Sequence, residues 1–465
     1  MTRRFATACW LALLAVAACA PAAEPEPDAP RLLLLVTVDT LRADRLGAYG
    51  SERGLTPHLD ALAADSLVFE VAYAPAPFTV PSLVSLHTGR YPAELGLQIN
   101  LSELRPDVGT LAEVLLRRGW KTAAVVSNVV LRQRDDLARG FEIWDDTMEE
   151  TEAVRLWRER TARPTTDAAL ALVDVWRSDP EVAGRPLFLW VHYQDPHGPY
   201  TPPAGWRERY TELEQRLAGE RTLPEVVGSD GEGGIPRYQL LDERHEASFY
   251  RAGYAAEIAW MDAQVGRLLD ALRERGLLSS VVFAADHGEA MGEHDFWFAH
   301  GHHLTDEAVQ VPLMLRLPGV AAGRRSDVAS LVDLFPTLLA AATGSPPDPA
   351  LPGRDLLAEG AESRDSVPLL STLSAYSKRR LGIVADGYKL ILTRTNDVWH
   401  PQLFRRGHEE VDLAAPAPQV TARLREQLWA LRDRHHAGEL APIRRISEQQ
   451  RRQLEALGYV EAPEP

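Results

Sequence analysis

Three apolar runs, each leading into an acidic residue, constrain this chain more than any other feature. Arg31–Val38 (RLLLLVTV) stops at Asp39, Pro186–Tyr193 (PLFLWVHY) leads to Asp195, and Ser279–Ala285 (SSVVFAA) leads to Asp286-His287. A continuous apolar run without polar alternation reads as a strand buried on both faces, the situation of a parallel sheet covered by helices. Val311–Leu317 reads as a fourth strand and Lys121–Ser127 as another. Helical patterns lie between them: Thr79 onward with Pro81 near the first turn, Thr110–Arg118, Pro164–Trp176, Phe249–Arg275 closed by Gly276, and Val328–Ala342. Alternating strands and helices predict an α/β fold with a central, mostly parallel sheet flanked by helices. Sites in such sheets form beyond the carboxyl ends of the strands, so Asp39, Asp195 and Asp286 are expected at one edge.

The length of 465 residues allows one large domain and a smaller one. Pro and Gly at Gly344–Asp348 (GSPPD) mark a boundary. The main domain is therefore placed at 31–345 and a small C-terminal α+β domain at 346–465. The latter has strand-like runs at Ser366–Leu373, Leu381–Ala385 and Lys389–Thr393, and helices near Val420–Arg434 and Ser447–Leu457. Residues 204–247 carry few strand signals and a Gly-rich loop (GSDGEGG), and read as an insertion at the rim of the site.

The first residues read as a targeting segment. Arg3 and Arg4 precede an apolar run, Phe5–Ala18, too short to span a bilayer comfortably. It ends in Val16-Ala17-Ala18-Cys19, which resembles a bacterial lipoprotein signal cleaved before a lipidated Cys19. A plain secretory signal is the alternative. The expectation is a signal at 1–18, a Pro/Glu-rich tether at 19–30, and a protein anchored to the cell envelope by lipid on Cys19. The net charge of −16 becomes −18 without that signal, with 48 basic against 66 acidic residues. This acidic balance argues against nucleic acid as a partner. Cys9 and Cys19 are the two cysteines, so the processed body has no thiol for disulfides, metal binding or nucleophilic work.

Carboxylates and an imidazole converging at one sheet edge are ligands for a divalent cation. Asp39, Asp286 and His287 supply them, and the hydroxyl of Thr79 at a helix start can complete the shell. Metal binding would turn that hydroxyl into an alkoxide nucleophile. Backbone N–H groups of the helix N-terminus would face an oxyanion. Each residue also has a structural reading: Asp39 as a loop residue or cap, Thr79 as an N-cap, Asp-His as a surface turn.

Motifs in order along the chain decide between these readings. VTVDTLRADRLGAYG (36–50), TVPSLVSLHTGRYP (79–92), TLAEVLLRRGWKTA (110–123), FLWVHYQDPHGPY (188–200) and VVFAADHGEAMGEHDFWFAHG (281–301) resemble, in the same order, the motifs of the sulfatase family of the alkaline phosphatase superfamily. VDLFPTLL (332–339), GYKLI (387–391) and the closing LEALGYV extend the resemblance over most of 31–460. It implies an alkaline-phosphatase-like α/β sandwich with a small C-terminal domain. It also implies a metal held by Asp39, Asp286 and His287 in contact with the nucleophile at 79.

Four departures stand out. Thr79 occupies the position that sulfatases oxidise to formylglycine, and threonine cannot form that aldehyde. Leu83 replaces the signature arginine. Val126-Ser127-Asn128-Val129 replaces the Gly-Lys-Trp-His run, removing both sulfate-binding cations. Thr40 stands where many sulfatases have a second metal-binding aspartate. A formylglycine hydrate expels sulfate by elimination through its second hydroxyl, whereas a threonine ester must be hydrolysed. The expected reaction is therefore phosphoester or phosphodiester hydrolysis, or phosphoryl transfer, through a Thr79 intermediate. Sulfate ester hydrolysis without formylglycine is the alternative, and an inactive sulfatase-like binding module is a third reading. His197 and His300 match family positions that contact the transferred group or leaving oxygen, so either is a general-acid candidate. Asp195, His197, His300 and His302 are alternatively a second-metal or substrate set, with an ion about 4 Å from the first. For His302 and His303 a solvated loop is the competing expectation. His192 reads as a strand-end core residue, and Glu289 and Glu293 as residues that orient their neighbours. Glu257 and Asp262 read as a solvated or packing face of the long helix. The cation is one or two of calcium, zinc, manganese or magnesium, and the substrate a small-molecule, lipid-headgroup or glycan ester.

Overall fold

The computed structural model describes residues 31–151, 158–227, 231–346, 348–358, 366–372, 379–434 and 440–456. The signal, the tether and Cys19 lie outside the described residues.

A nine-stranded sheet forms the centre of the main body. Its strands are β1 Leu32–Val38, β2 Leu67–Tyr73, β3 Lys121–Val126, β4 Ile143–Asp145, β5 Leu187–Tyr193, β6 Val281–Ala285, β7 Gln310–Arg316, β8 Gly323–Arg325 and β9 Ala329–Ser330. They lie in the order β8-β2-β7-β6-β1-β5-β3-β4, with β9 also paired to β2. The five strands from β6 to β4 run parallel. Every residue of β1, β5 and β6 is buried, as expected of strands covered on both faces.

The strand at 310–316 departs from the parallel expectation, pairing antiparallel with both β6 and β2. No crossover helix returns the chain to the far edge after β6. The polypeptide stays at the carboxyl edge through residues 286–305, so β7 must start there and run back. The helix expected over 328–342 is split. Ala329–Ser330 pair with β2, and a single turn at Leu331–Asp333 is closed by Ser330 and Asp333 in a capping box before a helix at Leu334–Thr343.

The helices that position the site are α1 Pro57–Ala64, α2 Thr79–Thr88, α3 Leu111–Arg117, α4 Ala162–Ser178, α5 Glu208–Ala218 and α6 Ala247–Glu274. Helix α6 packs along α4, α5 and α1. Its Asp262 is buried and accepts from the His58 and Leu59 N–H groups at the start of α1, and Glu257 is buried too, so both belong to a packing face rather than a solvated one. Helix α5 falls in residues 204–247, the stretch with few strand signals. Its buried Glu214 accepts from Arg53 at 2.8 Å, pinning α5 to the main body. Beyond α5, Gln239 donates its amide to the Phe298 carbonyl, two residues from His300.

A separate four-stranded antiparallel meander, β10 Ser366–Thr372, β11 Arg379–Ala385, β12 Tyr388–Thr395 and β13 Val398–Arg405, follows. Helices at Pro418–Arg434 and Glu448–Ala456 come after it. The last strand contains Pro401, which hid it from pattern reading; as an edge strand it tolerates the missing donor.

Candidate functional site

Parallel pairing delivers the site residues to one edge. Strand β1 ends at Asp39 between β5 and β6, and Asp286 follows β6 with its N–H donated to the Val38 carbonyl. Thr40 then turns the chain with φ of 53°, a left-handed conformation rare for a β-branched residue. That turn aims the Thr40 N–H at Asp286 Oδ1, at 3.2 Å. Helix α2 docks onto the same point, its Ser82 hydroxyl donating to the Asp286 carbonyl at 2.6 Å.

Thr79 is the first residue of α2, but Phe78 is the N-cap and makes no side-chain cap bond. The Thr79 hydroxyl instead sits 3.4 Å from His287 Nε2. His287 Nε2 is also 3.5 Å from Asp39 Oδ1 and 3.6 Å from Asp286 Oδ2. The His287 Nδ1–H donates to the Gly288 carbonyl at 3.0 Å, so Nε2 presents a lone pair to the cluster. Two carboxylates, a lone pair and a hydroxyl oxygen thus face each other, all fully buried.

That donor set fits a divalent cation. Asp286 Oδ2 has no hydrogen-bond donor, although the other oxygen of the group has two. Burial and the neighbouring Asp39 carboxylate push the Asp286 carboxyl far above the usual range, and burial and His300 hold His287 far below its own. Facing lone pairs at these separations repel unless a positive charge stands between them. Bonds of roughly 2.0–2.4 Å to one ion hold neighbouring ligands about 3–4 Å apart, as here.

The surrounding residues divide. His192, read as core, is buried but stands directly behind the cluster. Trp190 Nε1–H donates to the Thr37 hydroxyl, the Thr37 hydroxyl meets His192 Nδ1 at 2.8 Å, and His192 Nε2 lies 4.0 Å from Asp39 Oδ2. Burial pushes His192 down to about 3, so it faces Asp39 uncharged. Asn128 lies in the run that replaces the family motif, and its amide donates to Asp39 Oδ2 while its side-chain carbonyl accepts from the Val130 N–H. Its signal was its position: it follows β3, which lies next to β5 in the sheet, at the same edge as Asp39. Ser127 turns away, its hydroxyl 2.5 Å from that of Thr165 on α4.

His197 and His300 are brought together, with ring centroids 4.9 Å apart, and His300 lies 4.7 Å from His287. The three imidazoles form a row leading away from Thr79. Burial pushes His300 down to about 4. Asp195, His197, His300 and His302 are not among the groups of three ligands that converge on one point in the described residues. His197 Nδ1 is engaged by the Gly198 carbonyl and His300 Nδ1 by Glu289. His302 and His303 are half-buried rather than solvated, and the His302 carbonyl accepts from Arg380 on β11. Glu289 is buried against His300, and Glu293 pairs with Arg42 at 2.8 Å. The helix N-terminus offers less than expected. The Val80 N–H is taken by Asn100 Oδ1, Pro81 has none, and the Ser82 N–H goes to the Phe78 carbonyl.

A second group of potential ligands, His294, Glu307 and Glu409, lines an open cavity of about 680 Å³ together with Arg42 and Glu293. Neither Thr79 nor His287 lines it, so the cavity is separate from the buried cluster.

A mostly parallel sheet with a carboxylate and imidazole cluster facing a helix-start hydroxyl defines an alkaline-phosphatase-like hydrolase. The family profile described as Sulfatase matches residues 31–345, more than half of the sequence, and the chain belongs to the sulfatase family. It is 26% identical to "Uncharacterized sulfatase YidJ" of Escherichia coli (strain K12), over 70% of each chain. It is 27% identical to iduronate 2-sulfatase of Homo sapiens, over 71% of this chain and 72% of that one. The solved structure of the putative sulfatase yidJ from Bacteroides fragilis matches with a TM-score of 0.70 at 22% identity, covering 90% of this chain and 98% of that one. The phosphonate monoester hydrolase of Agrobacterium radiobacter matches with a TM-score of 0.67 at 22% identity, covering 90% and 100%. At that identity these two likenesses show the fold. Family membership makes the chain a hydrolase of sulfuric or phosphoric ester bonds.

Proposed function

We propose that this protein hydrolyses phosphoric esters, phosphodiesters foremost, through a covalent intermediate on Thr79. The observation that carries the reading is the 3.4 Å approach of the Thr79 hydroxyl to His287 Nε2, inside the ring completed by Asp39 and Asp286. A divalent cation held by Asp39, Asp286 and His287 would lower the pKa of that hydroxyl and offset charge on the reacting oxygens. Thr79 attacks phosphorus in line with the leaving oxygen. His300, or His197 beside it, supplies the proton the leaving oxygen takes up. Water then cleaves the phosphothreonine and returns the proton.

Charge supports a diester. Two carboxylates with one divalent ion are neutral overall, and Ser127 and Val129 bring no cation where sulfatases have two. A monoanionic diester needs less positive charge than a dianionic monoester. Sulfate esters are also monoanionic and family likeness favours them, but Thr79 lacks the second hydroxyl that expels sulfate. The sequence around Cys19 supports a lipid tether to the cell envelope, which would present the site to small-molecule, lipid-headgroup or glycan esters.

The test is turnover of 4-nitrophenyl phosphodiester, phosphate and sulfate by the purified protein, with and without chelator. The expected order is diester above monoester, with sulfate lowest and chelator abolishing all three. Turnover of sulfate alone would overturn the phosphoryl preference.

A further inference from the structure

Glu289 is buried beside the catalytic edge without a place in the scheme above. The chain reaches it through Gly288, whose N–H donates to the Ala308 carbonyl at 2.9 Å. A Cβ on Gly288 would stand 2.0 Å from the Glu307 carbonyl oxygen, so only glycine lets the backbone pass. The chain then enters a two-stranded antiparallel ribbon, Ala290–Met291 with Trp297–Ala299. Its register pairs Ala290 with Ala299. One step further along the same register, Glu289 stands opposite His300. The side chains meet there, Glu289 Oε1 lying 3.3 Å from His300 Nδ1.

The placement is costly as structure alone. The Glu289 side chain is fully buried, with the Tyr200 side chain as its other neighbour, and removing a carboxyl from water in this way costs free energy. Arg42 takes only the Glu289 backbone carbonyl, at 3.1 Å, and spends its charge on Asp44 and Glu293. A buried carboxyl that meets a ring nitrogen of a site histidine at 3.3 Å is the arrangement expected of a group that orients that histidine.

We propose that Glu289 is the positioning residue for His300. Accepting from the Nδ1–H, Glu289 fixes the ring, turns Nε2 toward the reacting group and offsets the burial that disfavours a charged His300. In the first step Thr79, already ionised, bonds through its oxygen to phosphorus and the bond from phosphorus to the leaving oxygen breaks. The proton on His300 Nε2 passes to that oxygen. In the second step the water oxygen bonds to phosphorus, the Thr79 oxygen to phosphorus bond breaks to leave Thr79 ionised as before, and the water gives His300 its proton back. Glu289 gains and loses nothing. This inference rests on the reaction proposed for Thr79 and selects His300 over His197 as the acid.

The experiment is a double-mutant cycle on the full chain, Glu289→Ala and His300→Ala singly and together. It is read on aryl phosphodiesters whose leaving groups run from 4-nitrophenol to unsubstituted phenol. Nitrophenolate departs without a proton and phenolate needs one. Glu289→Ala is expected to lower kcat on the phenyl ester by about 10- to 100-fold and on the nitrophenyl ester by much less. It is expected to add nothing once His300 is alanine. Glu289→Gln, which keeps an acceptor oxygen at the same place, is expected to restore most of the loss. Equal losses on both esters, or losses that multiply in the double variant, would overturn the assignment even with Thr79-dependent turnover intact. Absence of Thr79-dependent turnover in the unaltered protein would overturn the underlying reaction and this inference with it.

Discussion

Asn128 donates its side-chain amide to Asp39 Oδ2 across the carboxyl edge of the sheet, and so holds the outer oxygen of a carboxylate whose inner oxygen faces His287. The contact exists because β3 and β1 both flank β5, which brings the residues after them to the same edge. Groups that orient a metal ligand tune its affinity almost as strongly as the ligand itself. Asn128→Leu is expected to weaken cation binding by about 10- to 100-fold, measured by calorimetric titration of the chelated protein. Unchanged affinity would reduce Asn128 to a packing residue.

Cation binding is also expected to depend on pH. Without an ion, burial and Asp39 raise the Asp286 carboxyl well above its usual range. A raised folded pKa means that protons compete with the cation until pH passes that value, so affinity rises with pH. A saturating cation, at about 100 times its dissociation constant, should stabilise the fold by roughly 2.7 kcal/mol. The thermal midpoint with and without calcium, zinc, manganese or magnesium, at pH 6 and pH 8, checks both statements. The larger gain is expected at pH 8.

Glu307 gives a pH prediction away from the cluster. Burial, then Glu293, pushes its carboxyl up to about 7. Because the folded value lies above the unfolded one, its favourable contribution is complete below about pH 4 and is lost as pH rises through about 7. Glu307→Gln should therefore change stability little at pH 5 and raise it at pH 8.5, by on the order of 1–2 kcal/mol. Urea midpoints at the two pH values measure it, and a gain that shrinks with pH contradicts the sign.

Gly288→Ala tests the backbone passage between the cation ligands and Glu289. The added carbon meets the Glu307 carbonyl, which is held in the chain and cannot swing aside. A loss of about 1–3 kcal/mol is expected, together with reduced turnover as the ribbon carrying Glu289 shifts. Calorimetric stability equal to wild type would show that the loop yields freely.

What the sequence made legible follows from periodicity and position. The runs ending at Asp39, Asp195 and Asp286 are β1, β5 and β6, because strands buried on both faces cannot hide among polar residues. Thr79, Asp39, Asp286 and His287 are legible as helix-start and strand-end residues within ordered motifs. The direction of β7 was not legible, since an apolar run has no sense until its connection is known. The strands at 67–73 and 143–145 mix exposures and gave no clean pattern. The approach of Asn128 and His192 to Asp39 is not legible in the sequence, for a common reason. Their residue types are ordinary at strand ends, and only the sheet order brings them to Asp39. The pairing of Glu289 with His300 depends on a ribbon of two short strands, below the length at which alternation can be seen.

The most direct test of the central claim is kcat/KM for an aryl phosphodiester with Thr79→Ala and Thr79→Ser, each checked for wild-type cation content. Thr79→Ala is expected to lose about a thousandfold or more, while Thr79→Ser, which keeps the hydroxyl, retains measurable turnover. Activity of Thr79→Ala within about tenfold of wild type, with the cation bound, would contradict the account.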